Sequence, residues 1–211
     1  MYDFNNGEGL VPAKRHVNPD GSEGGWVAST ATVDSTVWVG LDSQVYNSAQ
    51  VYGNAQVRNK AQVYDSAQVS GDAQVYGNAR IFGNSQVCGK AWVSDRTWVF
   101  GNARISDWAQ VYDNSQVYGN ARVSGDTQVS GKARVSSGAL VKGTSDIAHG
   151  ALAGYSWTLY RTKEGWALQY GCEIHLVTAW AELHDKLSKR HTGTTAHGKW
   201  TRMLCNLAKE F

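Results

Sequence analysis

Five side chains suited to ligand binding lie close together in the middle of the chain. Trp92, Arg96, Trp98, Arg104 and Trp108 fall within 17 residues. An indole can stack on a planar ring, and a guanidinium can pair with an anionic group through two hydrogen bonds. The group therefore predicts a site for a nucleotide-like ligand or a hot spot for a partner protein. The structural alternative is that a tryptophan at a corner fills space beneath the C-terminal region.

Residues that could hold a metal are confined to the C-terminal region. Cys172 and His175 are three positions apart, and four further candidates follow: His184, His191, His197 and Cys205. Each is a zinc ligand by type, but their spacing matches no standard ligand pattern. The sequence also lacks a phosphate loop, a nucleophile elbow and a carboxylate pair. We predict no metal site and no cofactor.

A repeat of six residues must position the central tryptophans and arginines. Val or Ile recurs at every sixth position from Val27 to Ile147, which makes 21 consecutive positions without an insertion. Ala, Ser or Thr follows four positions later in 20 of these cases, with Val37 as the exception. A fixed short period is typical of a chain that coils on itself.

The unit Gln50-Val51-Tyr52-Gly53-Asn54-Ala55 shows what each repeat is expected to form. Alternation around the valine predicts a short strand with Val51 on the inner face and Gln50 and Tyr52 on the outer face. Gly-Asn and similar pairs tolerate a positive φ and therefore turn the chain at little cost. The repeat predicts strand and corner in alternation, with the small residue inside each corner.

With this pattern the chain resembles the hexapeptide-repeat proteins over about residues 26–151. The resemblance implies a mostly β fold, a left-handed parallel β-helix of about seven triangular coils with a small C-terminal α+β module. Acyltransferases of that family place a catalytic histidine on the coil, and its carbonic anhydrases bind a metal through coil histidines. No histidine occurs between residues 17 and 148 here. We predict no catalytic residues and no enzymatic activity, with an acyltransferase as the least favoured alternative.

Residues 18 positions apart are expected to lie on the same face of such a coil. The first face then carries a ladder of aromatic rings: Tyr46, Tyr64, Phe82, Phe100 and Tyr118. Such a ladder stabilises stacked strands, and an exposed aromatic stripe also forms an interface. The predicted binding residues are Phe82, Trp92, Arg96, Trp98, Phe100, Arg104, Trp108 and Tyr118.

The repeat divides the chain into three predicted parts: an N-terminal arm or cap over 1–25, the repeat region over 26–153 and a ββαα module over 154–211. Trp26 and Trp38 are large enough to plug the first coils. In the module, the turn 163–165 predicts a hairpin. Two helices are expected next, the first on Leu176, Trp180, Leu183 and Leu187 and the second over 200–207.

Composition limits the functional class. The net charge of +2 excludes a strongly acidic DNA mimic and a strongly basic nucleic-acid coat. No stretch approaches 18 apolar residues, and the first 20 residues have no signal-peptide core. Three widely spaced cysteines form no disulfide framework. We expect a cytoplasmic protein that neither enters membranes nor carries a strong nucleic-acid signal.

The whole arrangement also resembles uncharacterised phage and prophage hexapeptide-repeat proteins. A Gly-Gly-aromatic-Val entry at residues 24–27 leads into many Ala-x-Val-x-Gly-Asn units, and Gly171-Cys172 matches a Gly-Cys in their terminal module. This resemblance implies a binding protein that inhibits or sequesters a host component, plausibly of host defence. Sequestration of a nucleotide-like signal and a self-assembling scaffold are the alternatives. We expect a homo-oligomer formed through the aromatic face or the C-terminal module.

Overall fold

A computed structural model describes residues 1–136, 138–152, 155–171, 173–179 and 206. Within these residues the chain forms short strands almost throughout, with a 3-10 helix at Thr144–Asp146. Residues 177–179 are helical. In chain order, the strands are β1 Tyr2–Asp3, β2 Leu10–Val11, β3 Ala13–Val17, β4 Glu23–Ala28, β5 Thr32–Val33, β6 Trp38–Val39, β7 Gln44–Val45, β8 Gln50–Val51, β9 Gln56–Val57, β10 Gln62–Val63, β11 Gln68–Val69, β12 Gln74–Val75, β13 Arg80–Ile81, β14 Gln86–Val87, β15 Trp92–Val93, β16 Trp98–Val99, β17 Arg104–Ile105, β18 Gln110–Val111, β19 Gln116–Val117, β20 Arg122–Val123, β21 Gln128–Val129, β22 Arg134–Val135, β23 Leu140–Val141, β24 Ile147–Leu152, β25 Tyr155–Thr162, β26 Gly165–Tyr170 and β27 Glu173–Leu176.

Strands β4 to β23 form three parallel sheets that wrap around one core. Every third strand pairs, so Val63 lies between Val45 and Ile81 in register. The first face contains β4, β7, β10, β13, β16, β19 and β22, the second face runs from β5 to β23, and the third face runs from β6 to β21. The predicted parallel β-helix is confirmed. Its twenty strands make six complete turns and two strands of a seventh.

The repeat fills the interior of the coil as predicted. Most valines at the inward position and most small corner residues are buried, and Val51, Val99 and Ala55 are 0% exposed. At the corners, Gly53 has a φ of 74° and Asn59 a φ of 59°. These left-handed conformations explain the Gly, Asn and Asp pairs of the repeat, because other side chains are strained there.

Backbone hydrogen bonds join each coil to the next along both strands and corners. The Gln50 amide donates to the Ala67 carbonyl at 2.9 Å, and the Asn54 amide at a corner donates to the Gly71 carbonyl at 2.8 Å. A side-chain ladder adds to them at the corner after the first face. There Asn102 Nδ2 donates to Asn120 Oδ1 at 3.1 Å. Each coil is therefore stabilised mainly by its two neighbours.

The N-terminal segment covers part of the lower end of the solenoid. Strand β3 pairs antiparallel with β4 and extends the first face. Below the third face, the buried His16 and Asn18 satisfy backbone groups of the first coil. His16 Nε2 lies 2.9 Å from the Val37 carbonyl oxygen, and Asn18 Oδ1 accepts a hydrogen bond from the Val39 amide at 2.9 Å.

Trp26 and Trp38 do not plug the first coils, so that expectation was wrong. Both precede an inward valine, and strand alternation therefore turns them outward. Trp26 stacks on Tyr2 with ring centroids 4.4 Å apart, and Arg58 lies over Trp38 at 5.3 Å.

At the upper end, β24 to β27 form an antiparallel sheet. The predicted hairpin is confirmed, since β25 pairs with β26 through Thr162 and Gly165. Ile147 is not a solenoid position as the period predicted, because it pairs with Tyr160 in this sheet. Tyr160 is buried in the same cluster as the solenoid valines, so the sheet closes the upper end.

The predicted C-terminal helices can be compared with the structure only at their start. Leu176 belongs to β27 and pairs with Ala167, so its assignment to the first helix was wrong. Sheet pairing overrides the helical spacing at this position, since β27 completes the edge of the sheet. The remaining residues of both predicted helices, and Cys172, lie outside the described residues apart from 177–179 and 206.

Candidate interaction surface

The structure distributes the central tryptophans and arginines around the solenoid. Trp92 lies on the third face in β15, Trp98 on the first face in β16 and Arg104 on the second face in β17. Arg96 lies at the corner between β15 and β16, and Trp108 lies at the corner between β17 and β18. Each step of six residues moves the chain to the next face, so residues close in sequence point in different directions. These five residues do not form one pocket.

The first face does bring together four of the predicted binding residues. Phe82, Phe100 and Tyr118 stack in consecutive coils with ring centroids 5.0 Å apart and interplanar angles of 7° and 4°. The Trp98 ring meets the Phe82 ring edge to face, with ring centroids 6.4 Å apart and an interplanar angle of 74°. The aromatic ladder predicted from the 18-residue spacing is therefore confirmed.

The ladder covers the faces of its own rings. Tyr46, Tyr64 and Phe82 stack within 2° of parallel, and Tyr46 is only 5% exposed. Burial raises the pKa of Tyr46 well above its usual range. Offset stacking of this kind stabilises adjacent strands beyond the area it buries. Most of the ladder is thus part of the scaffold, and it leaves mainly ring edges to a partner.

Both ends of the ladder are closed, one by a residue that precedes the repeat and the other by a residue within it. Phe4 stacks on Tyr46 at 4.8 Å, and it is 2% exposed. Arg134 lies over the Tyr118 ring at 5.5 Å and donates to its hydroxyl at 3.2 Å. The period of 18 gives no signal for Phe4, because this residue precedes the repeat.

Trp98 is an exposed aromatic residue of the first face. Its side chain is 40% exposed, and the Arg80 guanidinium lies 5.7 Å from its ring centroid. Arg80 and Gln116 flank it in the neighbouring coils. An exposed indole beside an arginine, on a rigid sheet, has the composition of a protein-binding hot spot.

The other predicted residues each have a separate environment. Trp108 is 62% exposed, and the Lys90 ammonium lies 4.2 Å from its ring. Arg104 pairs in register with Arg122 on the second face, and both are exposed. Within the described residues neither arginine forms an ion pair. Trp108 and Arg104 therefore lie apart from Trp98 on the surface of the solenoid.

Comparison with known families identifies the class of the chain. Residues 73–89 and 115–131 match a family model described as YdcK Beta solenoid repeat. Both stretches lie in the stacked parallel sheets described above. The chain is a β-solenoid repeat protein. No curated protein and no solved structure matches it.

His16 and His149 lie at opposite ends of this β-solenoid. His16 is buried at the lower end, as described above. His149 lies in β24 at the upper end, where its Nε2 is 3.4 Å from Ser130 Oγ. The structure therefore separates His16 from His149 by the length of the solenoid.

The described part of the chain holds no group of three side chains placed to bind a metal ion. His175 lies 3.2 Å from the Glu173 carboxylate in β27. The other residues weighed as zinc ligands, His184, His191, His197 and Cys205, lie outside the described residues, as does Cys172. None of the helices in this part of the chain is long and apolar enough to span a membrane.

His149 should make the stability of the β-solenoid depend on pH. Burial lowers the pKa of His149 below 6.5, and the Asp113 carboxylate opposes this effect. The unfolded chain then binds the proton more tightly, so the folded state loses stability as the pH falls below about 6.5 until the folded pKa is passed. We expect a His149→Gln variant to lose less stability than the wild type between pH 7.5 and 5.0 in urea denaturation. Identical losses would contradict this role.

Proposed function

We propose that this β-solenoid is a non-enzymatic interaction protein that binds a partner protein through its first face. The observation that carries the proposal is Trp98. This indole is exposed on the fifth of the seven parallel strands of the first face, beside Arg80 and the aromatic ladder. The repeat has glutamine at the equivalent positions Gln62 and Gln116. Packing of the coil therefore does not require a tryptophan at position 98.

The scaffold suits recognition because little of it must become ordered on binding. Seven strands at about 4.8 Å spacing give the first face a length of about 30 Å. Adjacent rings and continuous backbone hydrogen bonds hold this surface in one conformation. A surface that is already ordered loses less conformational entropy on association. The length fits a standard interface of about 800 Å² on each partner.

The resemblance to phage and prophage hexapeptide-repeat proteins supports a host protein as the partner. We propose that the solenoid is a left-handed hexapeptide-repeat coil that inhibits or sequesters a host protein in the cytoplasm. A host defence component is the favoured target. The experiment must distinguish binding of a host protein from self-association through the same face.

Affinity capture with two matched variants tests the first face. Trp98→Gln introduces the residue found at the equivalent positions Gln62 and Gln116, and Trp108→Asn removes an exposed indole from a corner of the same coil. We expect the wild type and Trp108→Asn to retain one host protein, and Trp98→Gln to bind it at least about 30-fold more weakly, as at a hot spot.

Light scattering of the purified chain accompanies the capture. If the first face binds a host protein, the Trp98→Gln variant should have the same oligomeric state as the wild type. Dissociation of an oligomer by Trp98→Gln would assign this face to self-association instead. Equal retention of the same protein by all three chains would exclude Trp98 from the interface.

A further inference from the structure

The third face carries a cavity of about 210 Å³ that is separate from the first face. Six residues from three consecutive coils line it: Tyr76, Trp92, Ser94, Asp95, Gln110 and Tyr112. The cavity lies at an interruption between two tyrosines of the third face. The residue after the inward valine is Tyr76 in one coil, Ser94 in the next and Tyr112 in the third.

The interruption leaves room for one group between two tyrosines. On the first face, rings in consecutive coils stack 5.0 Å apart and leave no gap. Tyr76 and Tyr112 are two coils apart, so their backbone positions are about 10 Å apart. Between them Ser94 is short, and at 4% exposure it is largely covered by the side chains around it.

Trp92 makes the cavity a cage instead of a slot for a flat ring. Its ring centroid lies 5.2 Å from that of Tyr76, at an interplanar angle of 45°. The indole is 43% exposed, although its position in the neighbouring coils is occupied by Gln74 and Gln110. Three aromatic side chains thus line the cavity, and two of them, Tyr76 and Trp92, are not parallel.

A carboxylate fixes the charge that the cavity accepts. Asp95 Oδ2 accepts hydrogen bonds from Ser94 Oγ at 2.8 Å and from the Asp113 amide at 3.2 Å. No lysine or arginine of the described residues forms an ion pair with Asp95. Its negative charge repels phosphate and attracts a cation.

We propose that this cavity binds a quaternary ammonium group of a small molecule such as choline. A cation is attracted to an aromatic ring within about 6 Å of its centroid, and aromatic cages use this attraction to bind quaternary ammonium ligands. A group that enters the cavity meets Tyr76, Trp92 and Tyr112, which all line it. Methyl groups also reduce hydration of the charge, which lowers the cost of transfer into an aromatic site.

Isothermal titration calorimetry of the full chain with choline and with tetramethylammonium tests the cavity. We expect saturable binding with a Kd below about 1 mM, as three rings and a carboxylate act on one charge. The uncharged analogue 3,3-dimethylbutan-1-ol has the same shape and should bind at least tenfold more weakly. No saturation by either cation, or equal binding of the analogue, would overturn the proposal.

Three variants place the ligand in the cavity. Trp92→Gln restores the residue of the neighbouring coils, and Asp95→Asn removes the charge while keeping a side chain that tolerates the φ of 60° at this position. Each should weaken choline binding at least tenfold, whereas Trp108→Asn should leave it unchanged. Unchanged binding in Trp92→Gln, or preferred binding of adenosine, would overturn the cage. Choline titration does not depend on capture of a partner, so this site and the first face can fail independently.

Discussion

A Val99→Asp variant should lose the cooperative unfolding transition of the β-solenoid or melt at least about 10 °C below the wild type. Val99 is 0% exposed, and it stacks in register between Ile81 and Val117 at the centre of the core. An unpaired carboxylate there costs several kcal/mol, since the interior offers neither water nor a counter-ion. Each coil depends on its neighbours, so a defect at the centre weakens the coils on both sides. Thermal unfolding followed by circular dichroism measures the loss.

The adjacent residue provides the control for this variant. Trp98→Gln changes a larger side chain in the same strand, but that side chain points outward. We expect a cost below about 1 kcal/mol, which is typical of an exposed position without a special contact. Melting temperatures of the two variants within about 2 °C of each other would contradict the assignment of the inner and outer faces of β16.

A Gly125→Ala variant should be more destabilised than a Gly131→Ala variant by about 2 kcal/mol. Both glycines turn corners with nearly the same left-handed backbone, φ of 67° and 64°. Alanine therefore has a similar conformational penalty of about 1 kcal/mol at each site. At Gly125 an added Cβ would overlap the Lys142 carbonyl oxygen of the next coil, whereas at Gly131 it would meet open space. Removing the overlap requires the backbone of a packed coil to move.

Urea denaturation of both variants measures this difference, because the midpoint falls with stability at a constant slope. The paired design removes the common penalty for the left-handed conformation. Equal midpoints would show that the coils at Gly125 are farther apart than the structure places them. A lower midpoint for Gly131→Ala would contradict the open space beside that glycine.

The sequence predicted the solenoid well because its signals are local. The inward position of Val51 follows from alternation within one strand, and the turn at Gly53 follows from the conformations that glycine tolerates. The same reasoning placed Tyr64 next to Phe82, since the period of 18 converts sequence distance into position on a face. None of these predictions required knowledge of contacts outside the repeat.

The sequence failed where proximity along the chain was taken as proximity in space. Trp92, Trp98 and Arg104 are six residues apart and therefore face three directions. Tyr76 and Tyr112 are 36 residues apart and line one cavity with Trp92. Aligning the sequence at a period of 18 residues indicates the position of this cavity, because a serine then falls between the two tyrosines.

By itself the sequence determined the inner and outer residues of every coil and the faces on which they lie, because a six-residue unit repeats the same local preferences. Only the tertiary structure decided how the ends are closed. Phe4 reaches the ladder from outside the repeat, and Ile147 leaves the coil to pair with Tyr160. The physical reason is that a terminal coil has one neighbour instead of two. Its exposed core and unpaired backbone groups are covered by segments whose pairing depends on shape and contact instead of period.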